Sequence, residues 1–498
     1  MTLIISVNQI VESSKNPLLK THATWGRVEL SLIADVLNGF AFDSKKFSKS
    51  GEIPLIRIRD LGYDQTDCKY SGEFDLNYLV KSGDLLIGMD GDFKSSRWRG
   101  SDALLNQRVC KIIQKTEFYS PKFLDYVLPA YLLEINKMTS SLTVKHLSSQ
   151  TIKEIPLPLP PLTEQDRLVT KIEELFTQLD AGVISLKKVQ AQLKRYRQAV
   201  LKAAFEGKLT QKWREENKGE IAPASILFER IKSKYDRDEK EIAKRLPLNE
   251  SDLFQVPNEW IWVQVQDVCE NITNGYTPSA EKLFEGSGEI PFIKVYNLTK
   301  TGAFDFTKKP TFISRVTHET ELRRSAVYPN DVLMNIVGPP LGKISLVPEL
   351  HDEWNINQAI VIYRTFPEYS RKLILYALLS ETIQKWLQKR GKTTAGQTNY
   401  TITMSRSLPI PLPPLNEQSI IVNEIERHFS QIDHIERIVE TSLRQANSLR
   451  QSILKRAFEG KLVSQDPTDE PASILLEKIK AEKALQPISQ KRKTKNGN

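Results

Sequence analysis

Lys94-Ser-Ser-Arg-Trp-Arg99 stands beside a Gly88-Met-Asp-Gly91 turn and brings basic, hydroxyl and aromatic groups into one short string. Lysine, serine and arginine side chains contact phosphate oxygens, and arginine also pairs bidentately with guanine. A second polar, basic run, Lys389-Arg-Gly-Lys-Thr-Thr-Ala-Gly-Gln-Thr-Asn-Tyr400, has its counterpart in Ser140-Ser-Leu-Thr-Val-Lys-His146. The candidate polyanion contacts in the N-terminal half are Lys94, Ser95, Arg97, Trp98, Arg99 and Lys145. In the C-terminal half they are Lys294, Lys308, Lys309, Lys343, Arg390, Lys392, Thr393, Gln397 and Asn399. The competing reading of each is a solvated surface charge, and His146 on its own reads as structural. The final Lys491-Arg-Lys-Thr-Lys495 reads as a basic tail that adds nonspecific affinity.

No catalytic constellation accompanies these residues. An adenine methyltransferase needs a cofactor glycine loop and an Asn/Asp-Pro-Pro-aromatic motif, and the nearest string, Val337-Gly-Pro-Pro-Leu341, lacks both the amide and the aromatic. Gly338-Pro-Pro-Leu-Gly-Lys-Ile344 has the wrong length and ending for a phosphate-binding P-loop. No His/Asp/Glu grouping suggests a nuclease metal site. The expectation is a chain that is not an enzyme, with no catalytic, cofactor-binding or metal-binding residue. A formal charge of +9 and a pI of about 9.1 lean toward a polyanionic partner. Cys68, Cys110 and Cys269 are too few and too scattered for a disulfide framework or a zinc site. No signal peptide and no apolar run of membrane-spanning length is read, so the expected location is cytoplasmic, away from membranes.

The elements that would position these residues come in two copies. Ile155-Pro-Leu-Pro-Leu-Pro-Pro-Leu-Thr-Glu-Gln165 returns as Leu408-Pro-Ile-Pro-Leu-Pro-Pro-Leu-Asn-Glu-Gln418, and Ala204-Phe-Glu-Gly-Lys-Leu209 returns at Ala457–Leu462. Both matches keep one offset, so the two copies align without a gap and their length is itself held. Prolines at 156, 158, 160 and 161 enforce extended chain. Thr163 and Asn416 are the expected N-caps, and Gly207 and Gly460 the expected stops. The helix between them would run about 63 Å. Leu168, Ile172, Leu175, Leu179, Gly182, Leu186, Val189, Leu193, Tyr196, Val200 and Ala203 follow alternating steps of four and three, as do Ile421, Ile425, His428, Ile432, Ile435, Val439, Ser442, Ala446, Leu449, Ile453 and Arg456. That is an a/d heptad seam. The two helices either pair in one molecule or each packs on its own domain; matched lengths and registers favour pairing. Before each helix, Gly51-Glu-Ile-Pro-Leu-Ile56 echoes Gly288-Glu-Ile-Pro-Phe-Ile293, and Asn106-Gln107 echoes Asn357-Gln358. Helical stretches are expected at 120–137 and 370–389. The fold class is α/β: two globular α/β domains alternating with two long helices that pair as an antiparallel, pseudo-twofold coiled coil. The expected boundaries are 1–154 and 251–407 for the globular domains and 155–250 and 408–498 for the helical segments.

Two Pro-Leu-Pro-Pro-Leu-(Thr/Asn)-Glu-Gln motifs, each opening a long helix closed by Ala-Phe-Glu-Gly-Lys-Leu, resemble the repeated helical regions of type I restriction-modification specificity subunits. The resemblance covers essentially the whole chain. It implies two target recognition domains, each reading one half of a split, asymmetric double-stranded DNA sequence. It also implies spacer helices that dock two methyltransferase (M) subunits, with two restriction (R) subunits joining the complex. S-adenosylmethionine, ATP and magnesium would then be bound by the partners rather than by this chain. The spacer and docking residues it implies are Leu168, Ile172, Leu179, Leu186, Leu193, Val200, Phe205, Ile421, Ile425, Ile432, Val439, Leu449, Ile453 and Phe458. The alternatives are a stand-alone DNA methyltransferase or nuclease, and a coiled-coil scaffold that binds no DNA.

Overall fold

The computed structural model describes residues 5–139, 145–235, 245–248, 253–394 and 397–485. It divides into two compact units, one of Met1–Leu186 with Thr441–Asn498 and one of Lys187–Glu440. Each unit therefore draws on both long helices, α1 (Leu162–Phe205) and α2 (Leu415–Phe458). Each of these helices has 44 residues, or about 66 Å of rise.

Among its described residues the first unit holds three sheets. Gly26–Glu29 pairs antiparallel with Pro156–Leu159, so the proline-rich segment is a strand. Proline is tolerated there because the pair is all edge, while Leu157 and Leu159 point into the core. A four-stranded antiparallel sheet follows in the spatial order Ala34–Asn38, Val109–Gln114, Leu85–Gly88, Ser95–Arg97. A five-stranded sheet runs Phe47–Ser48, Lys69–Tyr70, Ile53–Ile56, Ala103–Leu105, Leu79–Val80, with its third and fourth strands parallel.

The second unit repeats this strand for strand. Ile261–Gln264 pairs with Pro409–Leu412. The four-stranded sheet is Cys269–Asn274, Ile360–Thr365, Val332–Asn335, Ile344–Leu346. The five-stranded one is Phe284–Glu285, Thr311–Ile313, Ile290–Ile293, Trp354–Ile356, Ala326–Val327, again with the third and fourth strands parallel. The faint echo between the two halves of the sequence is thus one topology used twice. The expected helices appear as Pro121–Met138 in the first unit and as Arg371–Leu379 with Glu381–Arg390 in the second. The break falls at Ser380, whose hydroxyl bonds back to Ala377 O and caps the next helix at Ile383 N.

The duplicated motif is a junction clamp. α1 begins directly behind Pro161, whose carbonyl accepts from Gln165 N at 2.9 Å. Thr163 and Asn416 therefore lie inside the first turn, not at the N-cap, because the second proline of each pair already sets the turn. The following Glu-Gln does the capping work. Gln165 accepts from Ser120 N at 2.7 Å and donates to Pro160 O at 3.0 Å. Gln418 accepts from Ser370 N at 2.8 Å and donates to Glu368 O at 3.2 Å. Each glutamine thus holds the first turn of a sheet-covering helix against the first turn of a long one. Glu164 is fully buried and accepts the Trp25 indole N–H at 3.0 Å, and Glu417 takes the Trp260 indole at 2.7 Å. At the other end Lys208 N reaches Ala203 O and Gly207 N reaches Ala204 O, a Schellman closure that Lys461 and Gly460 repeat. Gly207 has φ +71, and a Cβ there would sit 2.3 Å from a Pro257 carbon, so only glycine fits.

About half of the expected seam residues are buried. Leu168, Ile172 and Ile453 lie in the core of the first unit, and Leu193, Val200, Ile421, Ile425 and Ile432 in that of the second; Val439 is buried as well. Leu179 and Leu186 are half-buried. Tyr196, Ile435, Leu449 and Arg456 depart from the pattern and stand exposed; Leu449, at 52%, has Gly182 near it, which offers no side chain to pack on. An open groove of about 610 Å³ lined by Leu179, Gly182, Leu186, Ala446 and Leu449 results. Phe205 and Phe458, expected as docking residues, are buried with Ala204 and Ala457 in the cores at the helix ends.

Candidate nucleic-acid interface

The antiparallel four-stranded sheet has two ends, and they do different work. In the first unit one end holds the close of Val109–Gln114 and leads to Ser120, where Gln165 joins it to α1. Arg97 belongs to this end. Its guanidinium holds Asp125 at 2.5 Å, Gly83 O at 2.6 Å and Pro121 O at 3.0 Å, so each of its three nitrogens is engaged by the fold. Trp98 is only 2% exposed and gives its N–H to Ser101 O at 2.7 Å. Both side chains are thus tied into the fold. Arg99 is exposed but leaves from this same end. The Lys94–Arg99 string does not act as one patch, because the strand Ser95–Arg97 carries its two ends apart at about 3.3 Å per residue.

The other end gathers loops. The turn from Met89 to Lys94 meets the segment before the first proline motif: Gly91 N donates to Lys145 O at 3.0 Å, and Leu147 N to Met89 O at 2.7 Å. Lys94 is exposed and, among the described residues, has one loose partner, Asp92, at 3.4 Å. Ser95 opens the strand beside it. The Lys145 ammonium is held by Asn136 O at 2.6 Å. His146 lies 2.6 Å from Asp90, whose second oxygen pairs with Arg108 at 3.3 Å. His146 is accordingly a structural clasp. Arg108, which the sequence reading missed, stands exposed at the same end. Ser140–Val144 and the Lys491–Lys495 tail fall outside the described residues.

The second unit repeats the arrangement. Tyr400 N donates to Ile336 O at 2.8 Å, as Leu147 does to Met89, and Val337 bridges Asn399. Lys392–Thr394 and Gln397–Asn399 form a hairpin there, which places Lys392, Thr393, Gln397 and Asn399 on one ribbon, while 395 and 396 fall outside the described residues. Arg390 lies half-buried over the Trp386 ring, its guanidinium carbon 4.3 Å from the centroid. Lys343 Nζ reaches Val295 O at 3.3 Å, which ties the Lys294 segment to this end. Asn297 in turn donates to Asp305 O and Lys308 O, and Tyr296 to Lys309 O, so the exposed Lys308 and Lys309 are brought in as well. The structure thus collects Lys94, Lys145 and Arg108 in one unit, and Lys294, Lys308, Lys309, Lys343 and the hairpin in the other.

Among the described residues no group of three His, Cys, Asp or Glu side chains could hold a metal ion, and no helix is long and apolar enough to cross a membrane. The three cysteines are buried and form no disulfide; burial pushes the Cys110 thiol up to about 12, which keeps it protonated.

With the geometry in hand, the family model for the type I restriction modification DNA specificity domain matches twice, at residues 22–195 and 257–441. The type I restriction enzyme EcoBI specificity subunit of Escherichia coli is 35% identical over 494 residues, covering 96% of both chains. The EcoDI specificity subunit of Escherichia coli is 25% identical, covering 93% of this chain and 96% of its own. A solved chain from work on assembly and conformational transition of the type I R-M system superposes with a TM-score of 0.57 at 18% identity. It covers 89% of this chain and 99% of that one, and at such identity it bears on fold alone. Two matched domains and a relative this similar along nearly its whole length place the chain in the family of type I restriction-modification specificity subunits.

Proposed function

We propose that this chain is the non-catalytic, DNA-reading subunit of a type I restriction-modification complex. Each unit reads one half of a bipartite, asymmetric duplex target, and the chain positions two methyltransferase subunits and the ATP-dependent restriction subunits. S-adenosylmethionine, ATP and magnesium are bound by those partners. The observation that carries this reading is the repeated sheet end, where one topology presents basic groups on two differently built loop surfaces. Shared architecture suits a shared task, and unlike loops suit unlike half-sites. With its modification subunits the protein is expected to protect two half-sites about one helical turn apart, with affinity falling steeply as salt rises. Footprinting over a salt series checks this, and one continuous protected site would refute it.

α1 and α2 are proposed to pair as an antiparallel coiled coil that spaces the readers. Asp180 pairs with Arg450 within the first unit, and Arg197 pairs with Asp433 at 2.5 Å and Glu436 at 3.2 Å within the second. Residue numbers fall on one helix as they rise on the other, which is the antiparallel sense. Inserting four residues after Ala191 adds about 6 Å to α1. The expected result is a changed number of unread base pairs, or lost activity, with both half-sites intact. Methylation mapping reads this out, and an altered half-site would contradict the division of labour.

A further inference from the structure

The loop-bearing sheet end carries one more element in both units that the fold itself does not demand. Asn38-Gly39-Phe40 closes the first strand of one sheet, and Asn274-Gly275-Tyr276 closes its equivalent. A Cβ on Gly39 would lie 2.1 Å from Asn106 O, and one on Gly275 would lie 2.3 Å from Ile356 O and 2.4 Å from Asn357 O. Backbone passes so close that only glycine fits. The next residue is thereby turned outward: Phe40 is 48% and Tyr276 52% exposed, an aromatic at the same place in each unit. Phe40 is fixed further by Leu105 O at its amide and by the Tyr78 ring at 5.1 Å.

Directly across lie Asn106-Gln107 and Asn357-Gln358. Both asparagines belong to the turn: the Asn106 and Asn357 carbonyls accept from Val109 N and Ile360 N, and Asn106 Oδ1 accepts from Gln107 N at 2.7 Å, while Asn357 Oδ1 is buried with no partner among the described residues. The glutamine side chains take no part in the turn. Gln107 is exposed and makes no side-chain hydrogen bond among the described residues. Gln358 is exposed and uses only its oxygen, on the Thr277 hydroxyl. A glutamine beside an outward aromatic recurs at one position of two units whose surfaces otherwise differ, and no packing requires it.

A primary amide offers a donor and an acceptor side by side. That pattern matches the N6 and N7 edge of adenine in the major groove, where an apolar neighbour also meets the thymine methyl. The charges that would grip phosphate, Lys94 and Arg108 in one unit and Lys343 in the other, sit at the same end. We propose that Gln107 and Gln358 are specificity-determining residues, one per half-site, each reading an adenine beside the ring of Phe40 or Tyr276. This rests on the DNA-reading function proposed above.

The test uses the full chain with its modification subunits and duplexes in which the mapped target is changed one base pair at a time, at several salt concentrations. Gln107→Ala is expected to lower discrimination at one adenine of one half-site by roughly 10- to 100-fold. The other half-site and the salt slope stay as they were, and Gln358→Ala gives the mirror result. Gln107→Glu keeps an acceptor and loses the donor, so it should shift preference from adenine toward cytosine. Unchanged discrimination would overturn the inference, as would uniform weakening with a shallower salt slope or loss of modification-subunit binding. If the unsubstituted complex itself lacks salt-dependent target preference, the DNA-reading function fails instead. Unchanged melting of the variants, expected at exposed positions, separates both results from misfolding.

Discussion

Glu417→Gln is expected to destabilise the second unit by about 3–5 kcal/mol, whereas Glu164→Gln, the same change at the same motif position, is expected to leave the first unit unharmed or more stable. Glu417 is fully buried and bonded to the Arg214 guanidinium, the Thr210 hydroxyl and the Trp260 indole. Arg214 also donates to Thr210 at 2.9 Å and lies over the Trp260 ring. Removing the carboxylate leaves a largely buried guanidinium without its counter-charge, the costly half of breaking a buried pair. Among the described residues Glu164 has no such cation in contact. Its oxygens receive the Trp25 indole and the Gln465 amide, both neutral. Burial pushes its carboxyl above the usual range, and those two hydrogen bonds only partly oppose the shift. The sign follows from proton linkage. A raised carboxyl binds its proton more tightly in the folded state, so stability falls as pH rises from the ordinary glutamate pKa through the folded one. Glu164→Gln removes that fall while keeping an acceptor for Trp25. Denaturant midpoints of both variants between acid and neutral pH check the pair. Equal losses at the two sites would mean that Arg214 does not matter.

How much of this was legible beforehand depends on whether a residue's role is local. Prolines and glycines act on their own backbone, so the bounds Leu162–Phe205 and Leu415–Phe458 could be read nearly to the residue. Heptad spacing likewise located the buried stripe through Leu168, Ile172, Ile421 and Ile425. Spacing is silent about what stands opposite, and so Leu449, facing the gap at Gly182, was expected in the seam but lies exposed. The division into units was hidden for the same reason: nothing in a heptad says that the end of α2 completes the core under Phe123. Arg97 read as a free arginine because its partner, Asp125, lies 28 residues away. The Glu-Gln pairs are visible in the sequence as identities, but their work is not, since Trp25 and Trp260 lie far off along the chain. At the interface, the basic loops were legible by composition. Phe40, Tyr276 and Arg108 were not, because their meaning comes from the sheet end where three loops converge.

Phe458→Ala is expected to cost the first unit about 3–5 kcal/mol, and Phe205→Ala the second unit a similar amount. Phe458 is almost wholly buried, with its ring edge-on to Phe123 at 6.2 Å, in a core that includes Leu168, Ile172 and Ile453. Truncation opens a cavity where α2 and the helix Pro121–Met138 meet, and the neighbouring Schellman turn at Gly460 leaves the backbone little room to collapse into it. Phe458→Leu, which keeps most of the volume, should recover much of the loss. Hydrogen exchange read peptide by peptide gives the decisive comparison: faster exchange across Pro121–Met138, with the sheet of the second unit unchanged, is the expected pattern for a core residue of one unit. A docking residue would behave otherwise, with normal exchange and melting but lost association with the modification subunits. That opposite pattern would return Phe458 to the helix surface and leave the Ala-Phe-Glu-Gly motif to be explained by partners rather than by the fold.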